Sequence, residues 1–257
     1  MLRPLSILAC IAGLVAAAPT PESLAAPAKK TVAVLYFDNN TGRADYDPLG
    51  KGIAAMMISD LGAVDDIQLV ERERMQDLVK ELETQRTRYF DSTTAVKVGK
   101  MTGAEYIVVG AFAAVQPKMR IDTRVVRVGT GEIVKTAQVT GDEEKFFDLE
   151  QKLARNLIDG LGVAMSPEAQ LKLAAQQEQN RIDATTTMLA FSRALNFYDR
   201  SDYGEAASAM VPALSASPNS MLVRVAYDEM KRRAAASAAQ KAKDKIKAGI
   251  GGLLRRP

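Results

Sequence analysis

The residues best placed to do chemistry fall into a few short clusters. Gly50-Lys51-Gly52 opens a helical pattern, with Gly42 eight residues before Gly50. A Walker-type phosphate loop needs four residues between its glycines and Ser or Thr after the Lys, and both conditions fail here. Gly99-Lys100-Met101-Thr102 fails the same test, and Gly129-Thr130-Gly131 reads as a hairpin turn, so no dinucleotide fingerprint is present. Asp38 and Asn39 end the first apolar segment, where α/β folds often bind ligands. With Asp45 and Asp47 they form a set of hard oxygen donors, but the spacing matches no known cation loop. Turn and helix-cap chemistry is the plainer reading. Asp38 and Asn39, with Glu71 and Arg72 from the run Glu71-Arg72-Glu73-Arg74, are the candidate ligand or interface residues.

What is missing narrows the chemistry further. The 257 residues include no His, no Trp and one Cys, at position 10. Zinc sites built on His and Cys are excluded, as are Ser-His-Asp and Cys-His nucleophiles. An enzyme would have to rely on carboxylates, Lys, Tyr, hydroxyls or backbone groups. No cofactor is called for. The net charge is +3, so the chain as a whole is not a polyelectrolyte.

The first 28 residues read as a signal peptide and linker. Arg3 gives a short basic start, and Leu5 to Ala18 is an apolar run of signal-peptide length. It is shorter than the roughly 20 residues a membrane-spanning helix needs. Cleavage after Ala17 or Ala25 fits the small residues there. Ile7-Leu8-Ala9-Cys10 has the outline of a lipobox, which makes Cys10 a candidate lipidation site; otherwise Cys10 leaves with the signal. Export places the protein in the periplasm, with outer-membrane association as a further option.

Residues 31–165 predict one α/β domain of the layered α+β kind with a mixed sheet. Val32 to Phe37 and Tyr106 to Phe112 are continuous apolar strands of the doubly buried type. Gln68-Leu69-Val70 is a short strand. Met119, Ile121, Thr123 and Val125 alternate with Arg120, Asp122 and Arg124, as a half-buried strand does. Its hairpin partner runs from Ile133 to Thr140. Helical stripes occur at Leu49–Leu61, at Met75, Leu78, Val79 and Leu82, from a Ser92 or Thr93 cap to Met101, and from Phe146 to Leu161.

Four blocks carry a resemblance. They are Val32-Ala33-Val34-Leu35-Tyr36-Phe37-Asp38-Asn39-Asn40-Thr41-Gly42, Leu69 to Met75, Gly103 to Gly110, and Val125 to Ile133. In this order they resemble the CsgG-type curli production assembly/transport domain family, which is itself similar to the TolB N-terminal domain. The resemblance implies an envelope location, envelope-protein partners and a homo-oligomer. The family's namesake forms a pore from long membrane hairpins. Here the hairpin turns at Gly129-Thr130-Gly131 and carries Arg120, Asp122, Arg124 and Lys135, charges that are costly against lipid. Pore formation is therefore not carried over.

Residues 166–239 predict an all-α segment. Ala194, Phe197, Tyr203, Ala206, Met210, Ala213 and Pro218 have the spacing of a single tetratricopeptide-like repeat, with an ordinary helical hairpin as the alternative. Residues 240–257 form a basic tail. From Lys231 onward there are nine basic residues and one acidic one. Lys241, Lys243, Lys245, Lys247, Arg255 and Arg256 are the candidates for contact with an anionic surface, either membrane lipid or peptidoglycan. Nucleic acid does not suit an exported chain. The expected function is a non-catalytic envelope scaffold in secretion or assembly. The alternatives are a curli-type outer-membrane secretion lipoprotein subunit, and a periplasmic small-ligand sensor or carboxylate-based enzyme.

Overall fold

A computed structural model describes residues 28–70, 91–115 and 117–253. Cys10 and the signal segment lie outside the described residues. So do Glu71, Arg72, the Met75–Leu82 stripe, Arg255 and Arg256.

The α+β part begins with β1 (Lys30–Val34), β2 (Asp38–Asn39), α1 (Leu49–Gly62) and β3 (Ile67–Leu69). It continues with α2 (Ser92–Thr102), β4 (Tyr106–Val115), β5 (Lys118–Arg127), β6 (Ile133–Asp142) and α3 (Phe146–Gly160). The strands form one mixed sheet in the order β3-β1-β4-β5-β6, with β2 paired to the far end of β4. β1 runs parallel to both β3 and β4, and β4-β5-β6 is an antiparallel meander.

The sheet buries both faces. Val32, Val34, Val108, Met119, Ile121 and Val139 point to the side that carries α1 and α3. Ala33, Leu35, Ile107, Val109 and Val126 point to the side that carries α2. The alternation of these residues explains why Val32–Val34 of β1 and the whole of β4 are apolar at successive positions.

The first strand departs from expectation. The apolar run to Phe37 does not stay in one ladder: β1 ends at Val34, and pairing resumes at Asp38 opposite Ala111. The cause is Phe37, whose ring lies across Gly110; a Cβ on Gly110 would fall 2.2 Å from that ring. The cap of α2 also differs. Asp91, rather than Ser92 or Thr93, accepts from the Thr94 N–H at 2.9 Å, and this bond holds the Asp91 carboxyl below its usual range. The β5–β6 ladder carries a bulge between Val125 and Val126, with Val134 of β6 as the extra residue; both valines are buried because Val125 faces α1 and α3 while Val126 faces α2.

The remainder is helical: α4 (Pro167–Gln179), α5 (Thr185–Asp199), α6 (Tyr203–Ala216) and α7 (Met221–Leu253). Ser166 caps α4 by accepting from the Ala169 N–H, and Pro167 occupies its first turn. In the α5–α6 hairpin, Ala194, Ala206, Met210 and Ala213 are fully buried. The apolar core is continuous from the sheet through α1 and α3 into α5, α6 and α7. α7 extends to Leu253, through an Ala- and Lys-rich stretch of high helix propensity.

Candidate functional site

The carboxyl ends of β1 and β3 open into a cleft beneath α1, α5 and α7. It holds a cavity of about 240 Å³ lined by Val34, Ile58, Leu69, Phe191, Leu195 and Leu222, among others. Its walls are apolar, and at one end Lys51, Tyr36 and Asp199 form a polar cluster. The Lys51 ammonium donates to Asn196 Oδ1 at 3.0 Å and to Asp199 Oδ2 at 3.2 Å. The Tyr36 hydroxyl donates to the same carboxylate oxygen at 2.9 Å. Lys51 Nζ also lies 4.9 Å from the centre of the Tyr36 ring, a cation–π contact.

Local packing explains why Lys51 sits between two glycines. A Cβ on Gly50 would fall 2.0 Å from the Phe37 carbonyl oxygen, and one on Gly52 would fall 2.0 Å from Ser192 Oγ. The first turn of α1 is thus pressed against the β1–β2 backbone on one side and against α5 on the other. The glycine pair that fails as a phosphate loop is a close-packing device, and it carries Lys51 to the end of α5. Sequence reasoning missed Tyr36, Asn196 and Asp199. Lys51 gave a signal only through its glycines, and its partners lie some 145 residues away in the chain.

This ion pair is only 10% and 11% exposed on its two side chains. Removing one partner of so enclosed a pair is costly, because the other keeps a poorly solvated charge. Lys51→Met is expected to lower unfolding free energy by about 2–4 kcal/mol in urea denaturation. Arg43→Met, at the exposed Arg43–Asp45 pair, is expected to leave the urea midpoint almost unchanged.

The oxygen donors near Asp38 do not converge. Asn39 Oδ1 accepts from the Thr41 N–H at 2.9 Å, and its amide donates to Arg43 O and to Asp47 Oδ1, both at 2.7 Å. Asp45 pairs with Arg43 at 2.8 Å. Asp38 is half-buried in β2. Among the described residues, no three His, Cys, Asp or Glu side chains are placed to hold a metal ion.

A second polar centre is buried where α1, α3 and α4 meet. The Asp60 and Glu150 carboxyls share a hydrogen bond, and the Gln177 amide donates to Asp60 Oδ2. Burial drives the Glu150 carboxyl well above its usual range, and the hydrogen bond and charge of Asp60 push in the same direction. Burial also raises Asp60, against the two hydrogen bonds that it accepts. Burial thus favours the protonated form at both carboxyls, most strongly at Glu150.

A mixed sheet that begins parallel and ends in an antiparallel meander, layered with helices and extended by a helical hairpin, defines an α+β protein with a helical C-terminal part. Residues 16–120 match the family described as curli production assembly/transport component CsgG. That match supports an envelope assembly or secretion-associated role.

A protein of Rhizobium meliloti (strain 1021) named putative adenylate cyclase 3 is 25% identical over 168 residues, 65% of this chain. The chain spans about a quarter of the length of that curated relative. Among solved structures, the chain is similar to the LpoB C-terminal domain from Salmonella enterica, at 15% identity and a TM-score of 0.37. That likeness covers 45% of this chain and 84% of the other. Lipoprotein GNA1162 from Neisseria meningitidis is similar at 10% identity and TM-score 0.37, over 53% of this chain and 99% of the other. The PelC dodecamer from Paraburkholderia phytofirmans follows at 15% identity and TM-score 0.35, over 55% of this chain and 95% of the other.

Proposed function

We propose that this protein is an exported, non-catalytic scaffold of the cell envelope that acts in secretion or assembly. The family match over residues 16–120 carries this reading. The cleft agrees with it: the charged groups at its end are engaged with one another and brace α1 against α5. In this reading residues 1–28 are signal and linker, 31–165 the CsgG-type domain, 166–239 an interaction module, and 240–257 the basic tail. The protein works as a homo-oligomer among envelope proteins. β6 is a ten-residue strand at the edge of the sheet and offers unpaired backbone groups to a second copy.

Fractionation of a native host with intact-mass measurement tests the reading. The expected product is an envelope-associated chain starting at Ala18 or Ala26. A diacylglyceryl-Cys10 start would favour the secretion-lipoprotein alternative, and an unprocessed chain in the cytoplasm would refute export. Calorimetric titration with nucleotides and divalent metals is expected to give no heat of binding; saturable binding would instead support a sensor or enzyme.

A further inference from the structure

α7 has two ends of different character. Val223 and Met230 anchor its first turns in the core. From Ala238 to Lys247 every residue is exposed, so this stretch of helix leaves the body and is covered by nothing among the described residues. Its side chains are nevertheless sorted. On a helix of 3.6 residues per turn, Ala235, Ala239, Ala242 and Ile246 recur every three or four residues and fall on one stripe. The same spacing in the sequence falls next on Ile250 and Leu253.

The charges are placed around that stripe. Lys241 and Lys245 border it on one side, and Lys243 and Lys247 border it on the other. The only acid of the tail, Asp244, lies on the opposite face, where it accepts a hydrogen bond from Gln240 at 2.9 Å. Ile246 is 62% exposed, second only to Leu171 among the large apolar side chains of the described residues. A solvated helix end has no need of such sorting. An apolar stripe flanked by lysines and backed by the lone acid is the layout of a helix lying in a lipid interface, with its lysine stems reaching outward to headgroups.

We propose that the exposed half of α7 is an interfacial helix that binds an anionic phospholipid surface, with Ile246 inward, the four lysines at the headgroup level and Asp244 facing water. The charge balance fits this occupant. The last 27 residues hold nine of the chain's basic residues and one acid, against a net charge of +3 for the whole. The inference rests on the envelope reading above for its setting.

The test is co-sedimentation of the full mature chain with vesicles of phosphatidylglycerol and phosphatidylethanolamine at 0.1 M salt. Each Lys or Arg near such a surface contributes about 1 kcal/mol, or roughly fivefold in partitioning. Truncation after Gln240 is therefore expected to weaken binding by about thirtyfold or more, with the melting temperature unchanged. Ile246→Gln, which keeps the charge, is expected to weaken it by about tenfold. Phosphatidylcholine vesicles, or high salt, are expected to abolish it.

The absence of Trp makes orientation directly readable. Trp emission from an Ile246→Trp variant is expected to shift to shorter wavelength on binding and to be shielded from acrylamide. Emission from a Gln240→Trp variant is expected to stay that of a solvated indole. Equal shifts at both positions, equal binding after truncation, or an Ile246→Gln variant that binds normally would overturn the inference. So would pelleting with peptidoglycan, or with a second copy of the chain, but not with vesicles. Vesicle binding by a chain that is not exported would leave this inference standing and defeat the envelope reading; export without vesicle binding would do the reverse.

Discussion

Gly50→Ala is expected to lower the melting temperature sharply. The added Cβ would lie 2.0 Å from the Phe37 carbonyl oxygen, 3.0 Å from its carbon and 3.2 Å from its nitrogen. These are backbone atoms and cannot rotate away as a side chain would. Retreat of either segment strains the bond from the Phe37 N–H to Gly50 O, now 3.2 Å, and draws the Phe37 ring off Gly110. Overpacking at such a point costs about 3 kcal/mol or more, a large part of the roughly 5–15 kcal/mol that holds a domain together. Gly62→Ala is the control. Its Cβ would meet only Leu69 Cδ1 at 3.3 Å, and alanine favours the helix, so its stability is expected to stay within about 1 kcal/mol of the parent. Thermal unfolding followed by circular dichroism measures both.

The buried carboxyl pair predicts an unusual pH dependence. Both Glu150 and Asp60 titrate above their unfolded values of 4.5 and 3.8. Between those values and the raised ones, the folded state holds more protons than the unfolded chain. Stability therefore falls as pH rises, by about 1.4 kcal/mol per pH unit for each extra proton. The contribution is complete below the unfolded values and is lost as pH passes through the raised folded ones. Glu150→Gln keeps a hydrogen-bond donor toward Asp60 and removes the titrating group. It is expected to flatten the slope and to raise the melting temperature at pH 8 relative to the parent. A Glu150→Gln melting profile that tracks the parent at every pH would show that Glu150 is not the proton carrier.

The sequence is read well where a single element decides the outcome. Continuous apolar runs located β1 and β4, the alternation of Arg120, Asp122 and Arg124 with apolar residues located β5, and Ser166-Pro167 marked the start of α4. Reading failed where two distant segments decide together. The break after Val34 depends on Phe37 finding Gly110, and the polar cluster depends on α5 delivering Asp199 to Lys51. Glu150 lies on a helix whose apolar stripe was evident, yet nothing in its neighbours shows that Asp60 and Gln177 close around it. Asp38 and Asn39 drew notice for their oxygen atoms, and Asn39 spends its own on organising the loop.

The order of strands also sets an order of folding. β4, β5 and β6 are joined by short turns and pair with their sequence neighbours, so their contacts close quickly. β1 is made first, but its partner on one edge is β4, in the register Val32 to Tyr106, and that contact must wait for the long intervening chain. The segment with least tolerance for water is thus the last to be enclosed on both edges. Val32 to Leu35, fully apolar and unbranched by any charge, is the stretch most open to wrong pairing during this interval. Under the export proposed above, the chain meets this interval once, in the compartment where it emerges, and the meander behind β1 is what ends it.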